Sequence, residues 1–218
     1  MPPERETLNR DRILQAAMAI ADDEGLPALT MRLLGQRLGV EAMSLYNHVA
    51  NKDDILTGIL DLAMREIALP PADAPWNDAI RASALSAHRT LLRHPWACRL
   101  MMERDRGCTA RLHWMEEILG TLRRNGFSPE MTHHAYHALD SHITGFTLWL
   151  VNLPARGDEL LEMAASARQR IPIEVFPWTI EHIDYHISPP PAAEYTGSEF
   201  EFGLDLLLEG LERRRTGS

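Results

Sequence analysis

Apolar side chains recur at three- and four-residue spacing along nearly the whole chain, and no stretch alternates β-branched and polar residues with the two-residue period of a strand. That pattern restricts the fold to helix packed on helix, an all-α architecture. Glycine and proline interrupt it at intervals, and each interruption marks where one helix has to stop. The first helix is predicted over about 7–24, with Ile13, Ala17, Ile20 and Ala21 on one face. Gly25 reads as a left-handed C-terminal cap, and Pro27 blocks resumption. Thr30 is suited to N-cap a second helix carrying Leu33, Leu34 and Leu38, which Gly39 ends. A very short third helix is predicted over about 41–48. Asn51 then caps a fourth, with Asp53 and Asp54 in a first turn where the helix dipole favours negative charge. Ile55, Ile59, Leu62 and Ile67 carry this helix to Pro70-Pro71.

The stretch from Pro70 to Pro75 reads as the boundary between an N-terminal domain, 1–69, and a larger helical one, 70–218. Further helices are predicted from Trp76 to about Arg93 and at about 96–104, 107–125 and 129–153, separated at Pro95, Gly107, Gly126 with Pro129, and Pro154 with Gly157. The region 158–187 is helical but broken at Pro172 and Pro177. Residues 188–198, with Pro189-Pro190-Pro191, form the clearest loop, partly extended. A last helix covers 199 to about 214. At 218 residues, 45% hydrophobic and 24% charged, the chain has the balance of a globular protein with room for one or two domains.

No apolar run approaches the roughly 18 residues that span a bilayer, the best candidate being 146–151. The opening Met-Pro-Pro-Glu-Arg-Glu has no apolar segment behind it, so no secretory signal is visible and a cytoplasmic protein is expected. Cys98 and Cys108 match neither a disulfide framework nor a Cys-x-x-Cys site and are read as buried thiols. A net charge of −9 argues against a protein that coats nucleic acid nonspecifically. It leaves room for a specific reader, whose affinity depends on a few cations placed at phosphates.

The most informative stretch runs from Leu29 to Val49. One helix ends at Leu38, Gly39 makes a tight turn and a short helix begins at once, which is a helix-turn-helix over about 30–49. Leu34, Leu38, Val40, Leu45 and Val49 are spaced to pack the two helices onto the first. Ala42, Met43, Ser44, Tyr46, Asn47 and His48 are left facing outward, and Lys52 opens the next helix, where backbone amides already favour an anion.

Here the sequence resembles the tetracycline-repressor (TetR) family of regulators. The matching residues are Leu29-Thr30-x-Arg32, Leu38-Gly39-Val40, Leu45-Tyr46-x-His48-Val49 and Asn51-Lys52-x-x-x-Leu56, dense over 8–60 and weaker beyond. Within the family they look closest to the tetracycline repressors themselves. The resemblance implies a three-helix DNA-binding domain linked by the fourth helix to a helical ligand-binding and dimerisation domain. It implies phosphate contacts from Thr30, Tyr46, His48 and Lys52, a base contact from Arg32, and Ala42, Met43 and Ser44 at the groove floor. Ala42 and Met43 depart from the more polar residues of tetracycline repressors, so a different operator is expected, with apolar contact to thymine methyls. Against this, residues 1–56 hold six Lys and Arg but nine acids, so the acids must turn away from DNA.

The helix at 129–153 is apolar on more than one side, with Ala135, Ala138, Phe146 and Trp149 read as one stripe and Leu139, Ile143 and Leu150 as another. The last helix has Phe200, Leu204, Leu207, Leu208 and Leu211 beside Phe202, Gly203, Leu206 and Gly210. Helices apolar nearly all round must be covered twice, by their own core and by a second subunit. A homodimer through these two helices follows. Candidate contacts for a small apolar or aromatic ligand are Met64, Leu85, Met101, Trp114, Met115, Phe146 and Trp149, with His88, His137, Ser141 and Thr144 as polar anchors. His133 with His137 and His182 with His186 have chelating i,i+4 spacing, but no third ligand accompanies either pair and no metal or other cofactor is expected. The expected function is a one-component repressor that binds a palindromic operator and is released by ligand. The alternative from a different class is a helical carrier or enzyme without DNA binding. An enzyme is disfavoured, because the chain has no nucleophile elbow, glycine-rich phosphate loop or metal-ligand signature.

Overall fold

The computed structural model describes residues 7–103, 108–153, 157–188 and 197–217. The opening residues, Gly107, Pro154 and the Pro189-Pro190-Pro191 run lie outside them. Among the described residues there is no strand, and the helices are α1 (Arg10–Glu24), α2 (Met31–Leu38), α3 (Ala42–Leu45), α4 (Lys52–Arg65), α5 (Trp76–Arg93) and α6 (Pro95–Glu103). They continue as α7 (Thr109–Arg124), α8 (Pro129–Val151), α9 (Asp158–Arg170), α10 (Pro177–Ile187) and α11 (Glu199–Thr216).

Five helix starts are closed by side-chain caps, at Asn9, Thr30, Asn51, Ser128 and Ser198. α1 starts at Arg10, later than the apolar pattern suggested, because the Asn9 side chain accepts the Arg12 N–H at 2.8 Å and closes the first turn there. Gly25 has φ 82° but ψ 162°, an extended exit rather than the left-handed cap expected, and a short 3₁₀ turn, Leu26–Ala28, follows despite Pro27. Pro95 opens α6 instead of merely separating it from α5, since a first-turn proline lacks only an N–H that would be unpaired anyway. Ser198 and Glu201 form a reciprocal capping box at the head of α11.

α4 packs on α1 and also on α5, α6 and α7, so it joins the N-terminal helices to the rest. The buried core runs without interruption from Ile13 to Leu211, and the 70–75 turn is a break in the chain rather than in the packing. α8 packs against α5, α6, α7 and α11. Its buried line is Thr132, Ala135, Tyr136, Leu139, Ile143 and Thr147. This corrects one predicted stripe, because Ala135 is fully buried while Trp149 is 57% exposed on a different face. Arg81 clamps α11 to α5 through Asp205 at 2.9 Å and Glu201 at 3.0 Å, and the Trp76 indole donates to Glu212 at 3.0 Å. α9 and α10 pack extensively on each other, joined by Arg168 and Asp184 at 2.7 Å, with Leu161, Val175, Phe176 and Trp178 exposed.

Cys98 and Cys108 are both buried, and burial pushes the Cys98 thiol up to about 11, keeping it protonated and inert. Among the described residues no helix is long and apolar enough to cross a membrane.

Candidate nucleic-acid interface and ligand region

The turn between α2 and α3 is built from two glycines with different duties. Gly39 adopts φ 68°, ψ 34°, the left-handed conformation that ends α2. Gly35, inside α2, lets two backbones touch: a Cβ there would lie 2.9 Å from the Val40 carbonyl oxygen and 3.2 Å from the Ala42 nitrogen. The Val40 N–H donates to the Gly35 carbonyl at 3.0 Å, which holds the approach. Thr30 caps α2 by accepting the Leu33 N–H at 3.1 Å.

α3 is shorter than expected. After Leu45 the chain tightens, with the Tyr46, Asn47 and His48 N–H groups donating three residues back, to Met43 at 3.3 Å, Ser44 at 3.4 Å and Leu45 at 2.9 Å. Leu45 and Val49 are buried and anchor the segment. Met43 is 75% exposed and Tyr46 46%, Asn47 and His48 are exposed, and Ala42 and Ser44 are half-buried. Arg32 and Lys52 are exposed nearby. The segment therefore presents a small, mixed polar and apolar surface on a rigid support.

Three acids of the N-terminal helices are held in internal contacts. Arg10 grips both carboxylate oxygens of Asp54 at 2.7 and 2.6 Å, and Asp54 also accepts the Ala50 N–H at 2.9 Å. The Arg10 hydrogen bond holds the Asp54 carboxyl below its usual range. Arg37 pairs with Glu24 at 2.5 Å. Asp22 accepts from the Trp96 indole at 2.6 Å and lies 2.8 Å from His94 Nδ1. Among the described residues no ion pair engages Arg32 or Lys52, which leaves both for an external anion.

His94 is the joint between the two ends of the molecule. It is buried at the α5–α6 junction, with Nδ1 on Asp22 of α1 and Nε2 3.3 Å from Glu66 just after α4. Each ring nitrogen thus faces a carboxylate, one from each end of the N-terminal helices. Arg93 reinforces it, donating to Glu66 at 2.7 Å. Sequence reasoning missed this bridge and the Arg10–Asp54 pair, because 72 and 44 residues separate the partners and only the fold brings them together.

The ligand candidates are spread over different environments. Met64, Met101 and Trp114 are core residues, the Trp114 indole donating to Ser83 at 3.0 Å, and Leu85 and Met115 are half-buried around them. His137, Ser141 and Trp149 lie on the exposed face of α8, and Thr144 is half-buried. His88 and Phe146 belong to a cluster that also includes Phe200, His142 and Thr147, three residues the sequence reading did not select. The His88 ring stacks on Phe200 at 3.9 Å between centroids, and Phe146 meets it edge-on at 6.0 Å. The Thr147 hydroxyl donates to the Ile143 carbonyl at 2.6 Å, so it accepts from His88 Nδ1 at 2.7 Å and fixes that tautomer. Burial lowers the His88 pKa, with help from His142 and Arg89. The His182 and His186 Nε2 atoms lie 3.3 Å apart, but no group of three or more ligating side chains forms among the described residues.

The chain is similar to known regulatory proteins. Residues 13–59 match the model of bacterial regulatory proteins of the tetR family, and residues 69–215 match the tetracyclin repressor-like C-terminal domain. An HTH-type transcriptional regulator of Saccharopolyspora erythraea is 36% identical over 139 residues, 63% of this chain and 59% of its own length. The HTH-type transcriptional repressor DrrR1 of Streptomyces coeruleorubidus is 28% identical over 221 aligned residues, 95% of this chain and 78% of its own. Among solved structures, ActR of Streptomyces coelicolor in complex with actinorhodin has a TM-score of 0.74 and 27% identity, over 96% of this chain and 99% of that one.

Proposed function

Since the chain belongs to the tetR family of bacterial regulatory proteins, we propose that it is a cytoplasmic one-component transcriptional repressor, which grips a palindromic operator as a homodimer and lets go when a small molecule binds. The observation that carries the reading is the segment after Gly39, where Leu45 and Val49 are buried while Met43, Tyr46, Asn47 and His48 stand outward. Thr30, Tyr46, His48 and Lys52 hold phosphates, and Arg32 reaches a base edge, where a bidentate bond to guanine is the commonest specific contact. Ala42, Met43 and Ser44 face the groove floor, with Asn47 beside them. The division of labour follows the chain, with 1–69 reading DNA and 70–218 sensing and pairing.

The outward faces of α8 and α11, with Trp149, Phe202 and Leu206 about half exposed, belong against the same helices of a second copy. The exposed apolar side chains of the α9–α10 pair belong on that copy as well. The ligand is a small apolar or aromatic molecule, held around the His88–Phe146–Phe200 cluster and the neighbouring candidates on α5, α7 and α8. The complex of the similar protein ActR with actinorhodin supports a small-molecule ligand. Binding shifts α4 and moves the two reading segments off the ~34–36 Å spacing of successive major grooves, for which a coupling of ~1–3 kcal/mol is enough.

Binding-site selection from random duplexes tests the reading. A palindrome with half-sites about one helical turn apart is expected; recovery of unrelated sequences at random frequency would refute it.

A further inference from the structure

A cleft of about 600 Å³ separates the N-terminal helices from the C-terminal ones. Leu26, Leu56, Leu100, Leu148 and Val151 supply apolar wall, and Lys52 lines the same cleft from the first turn of α4. We infer that this cleft is a second ligand site, apart from the α5–α8 region proposed above, and that it takes a small amphipathic anion with an apolar body and one carboxylate or sulfonate.

Three observations point to that class. The volume falls within the ~300–1,000 Å³ of small-molecule sites. The lining is mostly apolar with a few polar groups at the edge, the composition that buries a body and orients a head. The charge balance favours an anion. Asp22, the one acid on the wall, is already occupied by the Trp96 indole and by His94, whereas no ion pair engages Lys52 among the described residues.

The position gives the site a consequence. An occupant touches α1 and α4 on one wall and α6 and α8 on the other, so it bears on the angle between the two ends. It also draws on Lys52, the residue assigned above to a DNA phosphate, so cleft ligand and DNA exclude each other. Only this last step rests on the DNA-reading proposal.

The test uses a matched pair of fluorescent probes, 8-anilinonaphthalene-1-sulfonate and its uncharged counterpart N-phenyl-1-naphthylamine. Lys52→Gln, an exposed change that leaves the core intact, is expected to weaken the sulfonate about tenfold and the uncharged probe less than twofold, as loss of one charge-assisted contact requires. Val151→Trp, with circular dichroism as the folding control, fills the cleft and is expected to remove both. Sulfonate affinity unchanged in both variants overturns the site, and equal loss of both probes in Lys52→Gln overturns the anionic class. With a duplex present, the sulfonate is expected to weaken DNA binding by the parent but not by Val151→Trp. A chain that binds the probes as expected yet no duplex at all would refute the DNA-reading proposal and leave the cleft standing.

Discussion

Arg32 and Lys52 differ in what they do for a DNA reader, and substitution separates the roles. Lys52→Ala removes a phosphate contact, so affinity should fall similarly on all sequences and the salt slope should drop by about 1 per half-site. Arg32→Ala should cost about 1–3 kcal/mol on the selected operator and relax preference at one position. Filter binding on operator and scrambled duplex across a salt series checks both, and equal slopes for Lys52→Ala and parent would contradict the phosphate role. Gly35→Ala tests the support beneath. The added methyl meets backbone, the Val40 carbonyl and the start of α3, neither of which can give without displacing the reading segment. Operator binding should be lost while the helical signal of the remaining chain persists. The His88 ring supplies a pH handle. Its pKa is lowered from 6.5, chiefly by burial, so the neutral form is the folded one. Its contribution is full above 6.5 and is lost as the pH falls below that value. The urea midpoint of the parent should drop more steeply between pH 6.5 and 5 than that of His88→Gln.

At the scale of helices, the bridge at His94 is where α1, α4 and the α5–α6 junction meet. His94→Leu keeps the bulk but removes one contact each from Asp22 and Glu66, which retain the Trp96 indole and Arg93. The expected cost is about 1–3 kcal/mol, seen as a Tm lower by several degrees, together with a weaker effect of inducer on DNA. A variant with unchanged inducer response would show that the bridge is structural only. The helices themselves were legible in the sequence because helix periodicity and caps are local, as Thr30, Asn51 and the Gly39 turn illustrate. What was illegible depends on neighbours. The outward turn of Trp149 is set by which side of α8 meets α5 and α11, and no count of apolar residues within one helix carries that. The ligand candidates lie in different environments for the same reason: apolarity selects core and pocket alike, and Trp114 is buried and tied to Ser83 while Trp149 is exposed. The outward placement of Met43, Tyr46, Asn47 and His48 was legible, because exposure there follows from a short segment folding back on its own support.

For the whole molecule, the net charge of −9 makes pairing central. Few cations per protomer are left for phosphates, so useful affinity has to come from two reading segments acting together, where the second contact gains about 10²–10⁴ from proximity. The outward side of α11 is the place to interrupt this. Leu206 is 52% exposed within one protomer and contributes nothing to that protomer's core, while Leu204 and Leu208 beside it are buried. Leu206→Glu should therefore leave the single chain folded. On a two-fold axis, however, it sets each new carboxylate close to its own copy inside an apolar contact, which is unfavourable both by repulsion and by desolvation. Sedimentation velocity should report a monomer. Affinity for a full operator should fall toward that for a half-site, and half-site affinity itself should be unchanged. A variant that stays dimeric would move the interface away from α11, and one that is monomeric yet binds the full operator as tightly as the parent would show that pairing is not the source of affinity.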